Sequence, residues 1–136
     1  MRVFAVKFQF SHGGCMNAEM LKRRSKTLAI RIIQMVEKLP RSQAADVIGR
    51  QLIKAGTSTA ANYRSACRAR SKPDFINKLG IVEEEADETM FWLEMIQEME
   101  MAGATVVQPL WLEAKELLAI FTSSRITAKR NHPIGN

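Results

Sequence analysis

The side chains in this chain best equipped for chemistry are cations. Lys22, Arg23, Arg24, Lys26 and Arg31 come close together, and Arg50, Lys54, Arg64, Arg68, Arg70 and Lys72 follow. Multiplicity of this kind suits a phosphate backbone, because affinity grows with the number of phosphates neutralised. Tyr63 is the only aromatic close by, so such binding would be led by backbone contacts and would read sequence weakly. The competing reading is a solvated face, or charges that pair with carboxylates elsewhere in the chain.

Those carboxylates form a second cluster. Glu83, Glu84, Glu85, Asp87 and Glu88 are followed by Glu94, Glu98 and Glu100. Paired carboxylates can hold a metal or act as acid and base. A di-iron site in a helical bundle also needs Glu-x-x-His motifs on facing helices. Here the only histidines, His12 and His132, lie in the two tails. No metal site and no cofactor are therefore expected. The acidic run reads as pairing with Arg64, Arg68 or Arg70 of another copy, as bridges across one bundle, or as a solvated face. Ser11, His12 and Cys15 have nucleophile-like types but sit on an N-terminal arm. Neither a Walker loop nor a Gly-x-Gly-x-x-Gly turn occurs. No catalytic residue is assigned, and the protein is expected not to be an enzyme.

Positioning these clusters is the task of a chain of 136 residues, 46% hydrophobic and 25% charged. That is one globular domain with a proper core. Its net charge of +6 hides a sharp asymmetry. Residues 1–72 carry 15 Lys/Arg against 3 Asp/Glu, and residues 73–136 carry 5 against 11. Such asymmetry suggests a polyanionic partner or head-to-tail self-association. Cys15 and Cys67 form no Cys-x-x-Cys pair, so no disulfide framework is expected and the cytoplasm is the default compartment. No apolar run approaches the roughly 20 residues of a membrane span.

Hydrophobic periodicity predicts four helices. The first covers about 19–39, capped by Asn17 and stopped by Pro40. The second covers about 43–70, capped by Ser42. In it Ile48, Leu52, Ala55, Thr59, Asn62, Ala66 and Ala69 form an a/d seam. Every side chain from Ala55 to Ala61 is small, which permits close helix approach. Gly56 in mid-helix costs about 1 kcal/mol relative to Ala, so packing should compensate. Asn62 on the seam reads as a register device bonded to Glu85 or Thr89. The third helix covers about 73–102, opened by Ser71 and Pro73 and stopped by Gly103. Phe91, Trp92 and Met95 widen its apolar surface beyond one stripe. A loop is expected over 104–108. Pro109 then opens a fourth helix to about residue 128, with Trp111 on a second stripe. The division is thus an extension at 1–18, a bundle at 19–128 and a polar tail at 129–136. Three readings of the extension stand side by side: a flexible piece preceding a start at Met16 or Met20, a strand-like arm that docks on a neighbour, or a vector-derived remnant. Four amphipathic segments with short connections imply an all-α, antiparallel up-down-up-down four-helix bundle.

The stretch Arg50-Gln-Leu-Ile-Lys-Ala-Gly-Thr-Ser-Thr-Ala-Ala-Asn-Tyr-Arg is distinctive. So are Arg70-Ser-Lys-Pro-Asp-Phe-Ile-Asn-Lys-Leu and Glu84-Glu-Ala-Asp-Glu-Thr-Met-Phe-Trp-Leu-Glu. In this order and spacing, over about 20–125, they resemble the bacterial four-helix-bundle family encoded in intervening sequences of 23S ribosomal RNA genes, also called S23 ribosomal protein. The chain is similar, too, to the accessory variability determinant of diversity-generating retroelements. The resemblance implies a ring-forming oligomer, typically a homopentamer, with a basic surface for nucleic acid. It also implies a possible protein partner such as a reverse transcriptase. Tyr63, Phe91, Trp92, Met95 and Trp111 are candidate oligomer contacts; Gly56, Thr59, Asn62 and Glu85 are candidate structural or register residues. The leading expectation is an RNA-binding or ribonucleoprotein accessory without enzymatic activity. The alternatives are a protein-binding scaffold and, remotely, a HEPN-like ribonuclease, whose short Arg-x(4–6)-His pattern is loosely matched by Arg125 and His132.

Overall fold

A computed structural model describes residues 17–131, and these form four helices with no strand among them. They are α1 (Ala18–Glu37), α2 (Gln43–Ala66), α3 (Lys72–Glu98) and α4 (Ala104–Arg130). The expectations for 1–16 and 132–136, including His12, Cys15 and His132, fall outside the described residues. Three helices start on a side-chain cap. Asn17 Oδ1 accepts from Met20 N at 2.9 Å, Ser42 Oγ from Ala45 N at 3.0 Å and Ser71 Oγ from Asp74 N at 3.2 Å. Each satisfies an amide that the first turn leaves without an intrahelical partner.

The helix ends differ from expectation for local reasons. The first helix stops at Glu37 rather than 39, because the residue before Pro40 avoids the α region and Lys38 and Leu39 close the turn through i→i−3 bonds. The second stops at Ala66 rather than 70. There Arg68 N and Ala69 N reach back only three residues, the tight-turn pattern that ends a helix. The third stops at Glu98, well before Gly103. Glu100 adopts φ 56°, and Met101 N bonds Ile96 O at 2.9 Å, as in a Schellman closure. Gly103 instead opens α4, so the expected 104–108 loop is helical and Pro109 lies inside the helix. Pro109 removes the bond that Thr105 O would accept, but it does so near the start, where Val106 N and Val107 N are held by Gly103 O at 3.0 Å.

The core lies between the helices. Leu21 and Ile32 from α1, Leu52 and Tyr63 from α2, Leu79 and Leu93 from α3, and Leu117 and Phe121 from α4 are all buried. Gly49 and Gly56 decide how closely α1 meets α2. An added Cβ at Gly56 would stand 2.8 Å from Ile32 Cδ1, and one at Gly49 would stand 2.8 Å from Val36 Cγ1. The helix-propensity loss at Gly56 is thus tied to a contact that a larger residue would push apart. Ion pairs join other neighbours. Arg24 of α1 bonds Glu113 of α4 through Nε at 3.0 Å and Nη2 at 2.5 Å and also meets Glu116 at 3.3 Å, while Arg125 of α4 pairs with Glu83 of α3.

Gly56→Val should lower stability by about 1–3 kcal/mol through overpacking. Gly56→Ala should stay within about 1 kcal/mol of the parent, because its helix-propensity gain opposes a shift of a flexible Ile32 methyl. Urea unfolding followed by circular dichroism checks both. In the same assay Glu100→Gly should raise stability by about 0.5–1 kcal/mol. It relieves a left-handed backbone costing roughly 1–2 kcal/mol, less the extra chain entropy of glycine.

Candidate nucleic-acid interface

The run of small residues in α2 gives the outer face of the α1–α2 pair its shape. Ala29 of α1 and Ala60 and Ala61 of α2 share a depression with Ile30, Ile33 and Thr57. This groove has a volume of about 660 Å³. Lys22, Arg23 and Lys26 line it from α1, and Arg64 and Arg68 line it from α2. A second depression of about 380 Å³ shares Ala61, Arg64 and Arg68 with the first and adds Arg70 and Lys78. The two are therefore continuous across the outer face of α2.

Charge in this track is compensated only in part: Glu19 lines the groove beside Lys22 and Arg23, and Asp74 lies near Arg70 and Lys78. Among the described residues, the side chains of Arg23, Lys26, Arg64, Arg68 and Arg70 pair with no carboxylate. Lys22 bonds exposed Glu19 at 2.8 Å, and Lys78 stands 3.4 Å from Asp74. The backbone N–H of Arg70 donates to Asp74 at 3.2 Å and, with Lys78, holds the Asp74 carboxyl below its usual range.

The eleven predicted cations do not share one face. Arg24 is withdrawn into the α1–α4 seam by Glu113, whose hydrogen bond raises the guanidinium pKa further. Lys72 Nζ donates to Asn131 O at 2.7 Å, at the end of α4. Arg31 lines a different cleft, with Lys38, beside the start of α4. Arg50 and Lys54 are exposed on α2 but line neither depression of the track. Lys78 belongs to the track but was missed, because its sequence neighbours place it on the acidic helix. The signal available was its position four residues after Asp74, at the basic start of that helix.

Several other expectations are corrected. Asn62 is half-buried, but its Nδ2 donates to Ser58 O of its own helix at 2.8 Å, not to Glu85 or Thr89. The seam passes instead through Tyr63, only 1% exposed, whose ring centroid lies 5.0 Å from that of Phe121. The rest of the predicted seam, through Ala66, is buried, so only the step after Thr59 differs: four residues, not three, reach the core face. Burial likewise removes Tyr63 from the exposed contacts and from base stacking. Thr59 Oγ1 donates to Ala55 O within the seam, and Thr89 Oγ1 to Glu85 O. The acidic run forms the expected bridges across the bundle, and within one chain these do not go to Arg64, Arg68 or Arg70. Glu83 engages Thr122 and Arg125, Glu94 accepts from Trp111 Nε1 at 2.9 Å, and Glu88 from Trp92 Nε1 at 3.2 Å. These carboxylates face α4 or their own helix, whereas the arginines lie on the outer face of α2. Gln97 Oε1 also accepts from Gln108 Nε2 at 2.6 Å.

Of the other candidate contacts, Phe91 is 49% exposed and stacks edge-on against Trp92 at 4.8 Å. Met95 is half-buried, and Trp111 carries Lys115 over its ring at 5.2 Å. Cys67 is a free, buried thiol whose pKa burial pushes up. No group of three or more His, Cys, Asp or Glu able to hold a metal occurs among the described residues. No helix there is long and apolar enough to cross a membrane.

Residues 19–123 match the family described as 23S rRNA-intervening sequence protein. Among solved structures, the chain is similar to a protein of unknown function from the S23 ribosomal protein family of Bacteroides thetaiotaomicron VPI-5482. Identity is 32% and the TM-score 0.75, over 82% of this chain and 99% of that one. None of the curated proteins matches the chain.

Burial, followed by repulsion from Glu88, raises the Glu85 pKa, and Lys54 offsets this only in part. A carboxyl whose folded pKa is raised weakens the fold once it ionises. Glu85→Gln should therefore increase stability at pH 7. That gain should fade as pH falls through the raised folded pKa toward the unfolded value of about 4.3. Thermal unfolding of both proteins across that range measures the difference.

Proposed function

The chain belongs to the 23S rRNA-intervening sequence protein family, and on that premise we propose that it is a non-enzymatic oligomeric bundle that binds nucleic acid, RNA first, as an accessory in a ribonucleoprotein. The observation that carries this reading is the track of unpaired cations, Arg23, Lys26, Arg64, Arg68 and Arg70, along a depression floored by small residues. Unpaired cations on a concave surface retain their counterions until a polyanion displaces them, and that release drives binding at low salt. With Tyr63 buried, no aromatic lines the track, so contact is with backbone phosphates and sequence preference is weak.

We take the helices to run antiparallel, up, down, up and down. The pairings Glu83–Arg125, Glu94–Trp111 and Gln97–Gln108 rise along α3 as they fall along α4, which supports that order. Copies of this bundle would close into a ring, a homopentamer by family resemblance, with Phe91, Trp92 and Met95 at subunit contacts. The exposed Phe91–Trp92 pair also favours a second reading, a scaffold for a protein partner such as a reverse transcriptase. A ribonuclease reading loses ground because Arg125 is committed to Glu83. The absence of a spanning helix among the described residues fits a cytoplasmic location.

Light scattering and RNA binding, measured together, test the proposal. Reversing Arg64, Arg68 and Arg70 to Glu should abolish binding to a structured RNA at low salt while leaving the particle mass unchanged. Parent protein that fails to bind, or binds without salt dependence, would refute the nucleic-acid reading. Loss of the oligomer in the variant would assign these arginines to assembly.

A further inference from the structure

Resting on the nucleic-acid reading, we infer that the track accepts a single, unpaired nucleic-acid strand rather than a duplex. The first argument is its shape. The groove lies between two packed helices whose axes are about 8–10 Å apart, and its walls carry cations on both sides: Arg23 and Lys26 opposite Arg64 and Arg68. A double helix is too wide to enter such a cleft and would reach only the rim. One sugar-phosphate chain can lie between the rows and be neutralised from both flanks.

The second argument is the floor. Ala29 is 6% exposed, Ala60 and Ala61 keep the α2 side of the groove low, and Ile30 and Ile33 line the α1 side. A rim-only ligand has no use for that depth. A backbone lying low in the cleft does, and its bases then point outward, as the missing stacking platform requires.

The third argument is the path. The two depressions meet at Ala61, Arg64 and Arg68, so the track leaves the α1–α2 groove, crosses α2 and ends at Arg70 and Lys78 beside the start of α3. From Thr57 to Arg68 it follows α2 for only about 16 Å at 1.5 Å per residue. Changing direction within that length costs a duplex, with its persistence length of roughly 150 base pairs, a bending free energy. An unpaired strand bends there freely. Arg64 and Arg68 line both depressions and become the central contacts.

Fluorescence anisotropy at low salt decides the matter, using full-length protein and a labelled RNA of about 16 nucleotides with no self-pairing, alone or annealed to its complement. The unpaired strand should bind at least about tenfold more tightly. R64Q/R68Q should weaken that binding and flatten its log–log salt dependence by about 1.4, two contacts at about 0.7 each for a single strand. Both residues are exposed, and circular dichroism and light scattering of the variant confirm unchanged fold and mass. Equal or tighter duplex binding overturns the single-strand inference and leaves the nucleic-acid reading intact. Tight strand binding indifferent to R64Q/R68Q overturns it as well, because the strand then lies elsewhere. Binding of neither probe overturns both.

Discussion

The α1–α2 contact is the constraint on which the surface chemistry depends. Two glycines, Gly49 and Gly56, place α2 so close to Val36 and Ile32 that an added carbon would make those side chains shift. The same run of small residues that admits this approach supplies Ala60 and Ala61 on the outer side of α2. One stretch of sequence therefore builds a tight seam inside and a cleft outside. A leucine at either end of the run would alter both.

Charge follows a similar division of labour. Cations that bridge helices, Arg24 and Arg125, are held by Glu113 and Glu83 and are partly buried. They fix neighbours in place, and they are unavailable to a ligand. On the outer face of α1 and α2 only Lys22 forms a salt bridge among the described residues, to Glu19 of its own helix. Membership of the basic surface is thus set by facing, not by residue type, and composition alone could not separate Arg24 from Arg23.

Much of the fold was legible from sequence because the signals were local and strong. Asn17, Ser42 and Ser71 each cap the helix they precede, and the apolar periodicity finds the buried stripes. The errors arose where a signal admits two readings. Gly103 suits a helix end as well as a helix start, and the left-handed Glu100 that closes α3 has no sequence signature. Pro109 is a common opener, yet early in a helix a missing amide is tolerated. From Thr59 a step of three reaches Asn62 and a step of four reaches Tyr63; both suit a helix, and the larger apolar ring takes the core. For the candidate site, residue types do not reveal pairing. Whether an arginine meets a carboxylate 89 positions away, as Arg24 meets Glu113, depends on tertiary neighbours.

The separation of charge between the two halves has a kinetic consequence. Fifteen cations lie before residue 73 and eleven carboxylates after it, so each molecule carries a lasting electric dipole. Near a polyanion such a body turns before it touches, presenting the basic half first and keeping the acidic run of α3 away. Random tumbling is thereby narrowed to a small range of approach angles, and fewer collisions are wasted. The benefit extends about 10 Å at 0.1 M ionic strength, so the final approach, rather than distant diffusion, is what the dipole guides.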